Sequence, residues 1–240
     1  MNLNSKTVLL TGGTAGIGRE IARILMAKGA SVVLTGRNPE RLAAMAAEGF
    51  EVISADLSNA AGVDALVDEW GDRTVDVLIN NAGQTVDHDF RKGAVDPDAA
   101  DSCIYANLSA PIRLIAGFMD SLKARPAAAI VNVTSGLAIA PAARQPVYCA
   151  TKAGLRFYTL TLREQLKDTN VRVVEALPPV VDTQMNDGKE AKKMPPEECA
   201  RQIVEAVEKD RDEANVGMTK ALRIAESISP ALAKSLTLRF

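Results

Sequence analysis

Thr7-Val8-Leu9-Leu10-Thr11-Gly12-Gly13-Thr14-Ala15-Gly16-Ile17-Gly18 is the stretch that decides the fold. A short apolar run breaks into glycines, and a helical pattern opens at residue 16. Glycine lets the backbone turn tightly and come close to another group. The start of a helix offers unpaired N–H groups and the positive end of the helix dipole. Strand, glycine turn and helix start in that order make a cradle for a pyrophosphate. The spacing is T-G-x-x-x-G-x-G and not the commoner G-x-G-x-x-G. Glycines can also serve tight turning alone, but the position at the first strand–helix junction favours phosphate.

Working outward, strand patterns at 7–11, 31–35, 51–54, 75–79, 128–134, 171–177 and 213–217 alternate with helical patterns near 16–28, 39–47, 60–69, 97–123, 146–168 and 196–209. Several strand runs are β-branched and continuous, which suits strands buried on both faces of a parallel sheet. The alternation predicts an α/β protein with a doubly wound, seven-stranded parallel sheet, the Rossmann fold. No internal repeat, low-complexity tract or long linker divides the chain, so residues 1–240 are expected to form a single domain.

The 240 residues are 47% apolar and 24% charged with a net charge of −2, which suits one soluble globular domain. Mixed charge gives no footing for nucleic acid or an anionic membrane. Cys103, Cys149 and Cys199 are odd in number and far apart, which argues against a disulfide framework and for a reducing compartment. His88 is the only histidine, so neither a histidine metal site nor a Ser-His-Asp triad can be assembled, and no metal is expected. The run Val8–Leu10 is too short for a signal peptide, and no stretch is long and apolar enough for a transmembrane helix. A cytoplasmic protein is expected.

The second strand ends at Leu34-Thr35-Gly36-Arg37. An NAD site usually has a carboxylate here for the ribose 2′-hydroxyl. A carboxylate would repel a 2′-phosphate, whereas the Arg37 guanidinium can bind one through two parallel hydrogen bonds. NADP(H) is therefore the preferred cofactor, with NAD(H) the alternative. No second basic residue lies inside the glycine turn, where Ala15 stands. Asp56-Leu57 follows the third strand, where Asp56 can accept from an adenine amino group or serve as a turn or cap residue. Asn80-Asn81-Ala82-Gly83 ends the fourth strand, with small residues that leave room for a ribose and amides that can tie adjacent strands.

A second constellation lies further on. Ser135 ends a strand, and Tyr148 and Lys152 stand four residues apart on one helical face. Carbonyl reduction needs a hydride donor, a proton donor and a group to polarise the oxygen. Tyr148 is the natural proton donor and, in reverse, the base. Tyrosine titrates near 10, too high for base work at neutral pH. The Lys152 ammonium, together with an oxidised nicotinamide, favours the phenolate.

Taken in order, Thr11–Gly18, Asp56, Asn80–Gly83, Asn107, Ser135, Tyr148-x-x-x-Lys152 and Pro178 through Thr183 resemble the short-chain dehydrogenase/reductases in their compact form, over residues 7–183. A closer resemblance is to the DltE-like oxidoreductases. It is carried by Thr134–Ala138, Tyr148–Lys152, Leu162–Thr169 and Pro178-Pro179-Val180-Val181-Asp182-Thr183. The resemblance implies a catalytic set of Asn107, Ser135, Tyr148 and Lys152. It implies a cofactor site of Gly12, Thr14, Gly16, Ile17, Gly18, Arg37, Asp56, Leu57, Asn81, Ala82, Gly83, Tyr148, Lys152, Pro178, Val181 and Thr183. It also implies a water held by Asn107 beside Lys152, and a proton relay through Asn107, Lys152 and the cofactor ribose to Tyr148. The family usually has Pro-Gly where this chain has Pro178-Pro179. Pro179 lacks an N–H and fixes φ, which stiffens the loop that sets Val181 against the nicotinamide amide. The DltE-like group shares Pro-Pro, so cofactor binding is still expected.

Residues 184–195 fall where the family keeps a lid. Gln84, Thr85, Val86, Gly136, Leu137, Ala138, Gln145 and Val147 are the expected substrate walls, a modest and mostly apolar pocket. Arg144 is expected at the surface, His88 in a loop, and Cys149 as packing. The tail 218–240 has Ala221, Ile224, Ala225 and Ile228 at helical spacing. A homodimer or homotetramer is expected, through helices 97–123 and 146–168. The expected activity is NADP(H)-dependent carbonyl reduction or alcohol oxidation on a small molecule. The alternative is a non-catalytic dinucleotide sensor or scaffold, which needs the glycine turn but not Tyr148 and Lys152. An S-adenosylmethionine methyltransferase would place an acidic residue where Arg37 stands.

Overall fold

Val8, Leu9 and Leu10 have no room for water on either side, and that double burial dictates the architecture. In the computed structural model, which describes residues 1–93, 96–188 and 192–238, β1 (Thr7–Leu10) pairs in parallel with β2 (Ser31–Gly36) on one side and β4 (Val77–Asn80) on the other. β2 pairs with β3 (Glu51–Ser54), and β5 (Ala128–Val133), β6 (Val171–Leu177) and β7 (Glu213–Asn215) continue beyond β4. The order is β3-β2-β1-β4-β5-β6-β7, all parallel, seven strands among the described residues. Residues 189–191 of the expected lid and 239–240 of the tail lie outside the described residues.

Helices cover both faces. α1 (Gly16–Ala27), α2 (Pro39–Ala47) and α7 (Pro196–Glu208) pack Ile21, Leu25, Met45, Ile203 and Val204 against Leu10, Leu34 and Val131. The opposite face carries α3 (Ala60–Trp70), α5 (Ala110–Lys123) and α6 (Pro146–Leu166), whose Leu66, Trp70, Leu114, Phe118 and Leu162 bury Leu9, Leu78 and Ile130. Leu9 and Leu10 thus face opposite layers, as the two-residue period of a strand requires. Starts are capped where the sequence provides a side chain: Asn38 accepts from the Arg41 N–H at 2.8 Å and Asn59 from the Gly62 N–H at 2.9 Å.

The expected helix 97–123 is not continuous. α4 (Pro97–Ile104) passes through a π-helical turn at Tyr105–Ser109 into α5. Pro111 explains the break: it has no N–H to give to the Asn107 carbonyl four residues back, and its ring would strike that carbonyl in an α-helix. The expected strand 75–79 begins two residues later, at Val77. The tail forms α8 (Thr219–Ile228) and α9 (Pro230–Thr237), with Ile224, Ile228, Leu232 and Leu236 exposed.

Connectivity reverses between β1 and β4, so the loops that follow them diverge and leave a crevice at the carboxyl ends of the strands. Thr11 and Asn81 lace its floor. Thr11 Oγ1 donates to the Ile79 carbonyl at 3.2 Å and accepts from the Asn81 and Ala82 N–H groups, both at 3.0 Å. Asn81 Nδ2 donates to the carbonyls of Thr11 and Gly12 at 3.0 Å. Thr11→Val keeps the shape but leaves these N–H groups without an acceptor. It is expected to lower stability by about 2 kcal/mol, read as a shift in the urea unfolding midpoint at unchanged slope.

Candidate active site

The glycine turn is packed too closely for side chains. Gly12 has φ +64°, and a Cβ there would sit 2.8 Å from Ala82 Cα. At Gly18 a Cβ would lie 2.2 Å from the Gly12 carbonyl oxygen. The first turn of α1 has no capping side chain, because the preceding residue is Ala15, and no acidic residue. Its N–H groups and dipole end therefore point into the crevice without an anion of the chain's own, which suits a phosphate.

From this turn a cleft of about 660 Å³ runs across the ends of the strands. Its walls include every cofactor-site residue expected from the sequence. Gly12, Thr14, Gly16, Ile17 and Gly18 form one side, Arg37, Asp56 and Leu57 one end, and Asn81, Ala82 and Gly83 the floor. Pro178, Val181 and Thr183 lie opposite, and Ser135, Tyr148 and Lys152 line the far end. Asp56 Oδ1 accepts from the Ser58 N–H at 3.1 Å, so the turn-forming role is realised as well.

Asn107 does not line the cleft. It is fully buried in the π-helical turn with its side chain committed. Oδ1 accepts from the Gln84 N–H at 2.9 Å, and Nδ2 donates to the Gln84 carbonyl at 2.9 Å and to Thr151 Oγ1 at 3.1 Å. The side chain thus fixes the strand that leaves Gly83. Gly83 itself passes close to both Asn107 and Lys152, since a Cβ there would lie 3.1 Å from Asn107 Oδ1 and 3.6 Å from Lys152 Nζ.

Tyr148 and Lys152 project from the first turns of α6. Lys152 Nζ donates to the Val133 carbonyl at 2.8 Å and sits 5.7 Å from the centre of the Tyr148 ring. Tyr148 hydrogen-bonds to Ser135, whose Oγ also accepts from the Leu137 N–H at 3.1 Å. Burial pushes the Tyr148 phenol up to about 12, against the hydrogen bond from Ser135 that pulls it down. The lowering expected from Lys152 does not act on the phenol here, and burial also brings the Lys152 ammonium down to about 8.

Among residues not anticipated, Arg41 is the most informative. It lies one turn into α2, lines the cleft near Arg37, and donates to Gln184 Oε1. Its signal was the spacing from Arg37, since a residue in the first turn of a helix started by Asn38-Pro39 faces back toward the end of β2. On the substrate side, Gln145 is buried and donates to Thr85 Oγ1 at 2.8 Å and Asp87 Oδ1 at 2.7 Å. Arg144 is exposed, and Cys103, Cys149 and Cys199 are buried. The ends of the expected lid are zipped together, with Met194 N–H on the Val180 carbonyl and Asp182 N–H on the Met194 carbonyl.

This fold and cleft define a doubly wound nucleotide-binding domain with a tyrosine–lysine–serine cluster at one end. The sequence model of the family described as "short chain dehydrogenase" matches residues 6–194, and the chain belongs to that family of oxidoreductases. It is similar to the uncharacterised oxidoreductase DltE of Bacillus subtilis (strain 168), at 44% identity over 191 residues, 78% of this chain and 75% of the relative. It is also similar to a short chain dehydrogenase from Burkholderia cenocepacia J2315 solved in complex with NADP, with TM-score 0.86, 26% identity and 99% of each chain covered. A short-chain dehydrogenase from Sphingobium yanoikuyae in complex with NADPH matches with TM-score 0.80 and 27% identity, covering 87% of this chain and 86% of its own.

Lys152 binds its proton less tightly folded than unfolded, so its ammonium opposes folding at neutral pH, and stability rises as pH climbs from about 8 toward the ordinary lysine value of 10.5. Lys152→Met is expected to be more stable than the parent at pH 7, by up to about 3 kcal/mol. The gap should narrow between pH 8 and 10, measured as Tm against pH.

Proposed function

We propose that this protein is an NADP(H)-dependent carbonyl reductase and alcohol dehydrogenase acting on a small molecule, with Tyr148 as acid–base. The observation that carries the proposal is the pairing, in one cleft, of a glycine turn with Ser135, Tyr148 and Lys152. NADP(H) is preferred over NAD(H) because Arg37 and Arg41 line the end where a ribose 2′-phosphate would lie, and no carboxylate stands at the end of β2 to repel it. Neighbours of the fold are solved with NADP or NADPH and one with NAD, so the preference rests on Arg37 and Arg41.

The cofactor, bound along the cleft, supplies the hydride. Ser135 Oγ orients the substrate oxygen. A Tyr148 phenol pushed up to about 12 holds its proton at neutral pH, the state that a carbonyl reductase needs in its acid. Oxidation of an alcohol requires that proton to leave, which the Lys152 ammonium near the ring favours. Asn107 takes the role of holding the outer end of the proton path, through the wall it shares with Gly83 and Gln84. The described residues of 184–195 act as the lid. α8 reaches the active-site wall, since a Cβ on Gly136 would lie 3.1 Å from Thr219 Oγ1.

Among the described residues no helix is long and apolar enough to cross a membrane, and the free thiols of Cys103 and Cys199 suit the cytoplasm, where we place the protein. The exposed Ile104 on α4 and Phe157 on α6 support assembly as a homodimer or homotetramer through these helices.

Fluorescence titration should show NADPH binding at least tenfold tighter than NADH, and equal affinities would remove the argument from Arg37 and Arg41. Tyr148→Phe should lose at least a thousandfold in turnover of a carbonyl panel while binding NADPH as the parent does. Undiminished turnover would refute the acid–base role. Binding of NADPH with no turnover of any aldehyde, ketone or keto acid by the parent would favour a sensor.

A further inference from the structure

Residues in register across a parallel sheet present their side chains to the same face. Asn80, Asn132, Glu175 and Glu213 are in register across β4, β5, β6 and β7. A polar row therefore crosses a face that is otherwise apolar, and α6 lies over it. Asn80 Nδ2 donates to Asn132 Oδ1 at 2.8 Å, and Asn132 Nδ2 donates to Thr159 Oγ1 of α6 at 2.9 Å. Arg156 Nη1 donates to Glu175 Oε2, and its Nη2 donates to Glu213 Oε1 at 3.3 Å. The other Glu175 oxygen accepts from Thr134 Oγ1 at 2.7 Å. Glu175 is 0% and Arg156 8% exposed, so the pair is shut off from water.

Both arms of this bridge end beside the reacting groups. Thr134 precedes Ser135. Arg156 lies one helical turn beyond Lys152, which is one turn beyond Tyr148, so the three share a face of α6. Apolar contacts between a helix and a sheet let the helix roll and slide at small cost. A guanidinium held by the buried Glu175 on one arm and by the partly exposed Glu213 on the other has one geometry. A buried ion pair is also a poor source of net stability, because desolvation offsets most of the attraction. Its presence at this place calls for another reason.

We propose that Arg156 and Glu175 are positioning residues, which fix the roll of α6 against β5 and β6 so that the Tyr148 hydroxyl meets Ser135. This rests on the acid–base reading of Tyr148 given above. The test uses the full chain and a carbonyl substrate found in the panel. The paired variant Arg156→Met with Glu175→Leu removes both charges and leaves neither alone. It is expected to fold with Tm at or above the parent's, to bind NADPH within about twofold of the parent, and to keep KM within about threefold while kcat falls at least tenfold. Arg156→Lys, which keeps the charge but loses the fork, should fall between the two. A paired variant with kcat within twofold of the parent overturns the proposal. If the paired variant does not fold, Arg156→Lys decides alone: reduced kcat with unchanged NADPH affinity supports positioning, and unchanged kcat overturns it. If Tyr148→Phe retains full turnover, the acid–base reading has failed by itself. A crystal structure of the paired variant then judges the positioning without turnover, and a Ser135–Tyr148 contact kept as in the parent overturns it.

Discussion

The crossing of the chain between β1 and β4 is held by hydrogen bonds between two short loops, and the whole cleft takes its shape from them. A parallel sheet whose connectivity reverses must splay where the loops part. Thr11 and Asn81 close the base of that splay, and no side chain fits between the backbones they bring together, as Gly12 against Ala82 shows. The tight packing of the glycine turn is thus a consequence of one junction. Were it looser, the phosphate end and the reacting end would no longer belong to one surface.

At the far end of the cleft the governing term is desolvation. Tyr148 and Lys152 are pushed in opposite directions by the same burial, one toward the neutral phenol and the other toward the neutral amine. The chain tolerates there an ammonium that opposes folding.

Much of this was legible in the sequence. Continuous apolar strands announced a sheet buried on both faces, and the glycines after β1 announced the crevice. Each expected cofactor-site residue reaches the same cleft because all of them follow strand ends, and a parallel sheet gathers its strand ends at one edge. What local pattern could not show was long-range pairing. Asn107 was expected to hold a water beside Lys152, and no local pattern foretold its side-chain bonds to Gln84 and Thr151, partners 23 and 44 residues away. The break in helix 97–123 was written in Pro111 but masked by strong helical periodicity on either side. Glu175 sits within an apolar strand pattern, and only the register with β5 and β7 reveals a row.

That row ties distant positions together. Loss of Arg156 alone strands the buried Glu175 carboxylate, at a cost of about 3–5 kcal/mol, comparable with the margin by which a domain stays folded, and loss of Glu175 leaves the guanidinium only its longer contact with Glu213. Changing both charges together avoids that cost, so two sites 19 residues apart in the chain are coupled in energy and their substitutions do not add.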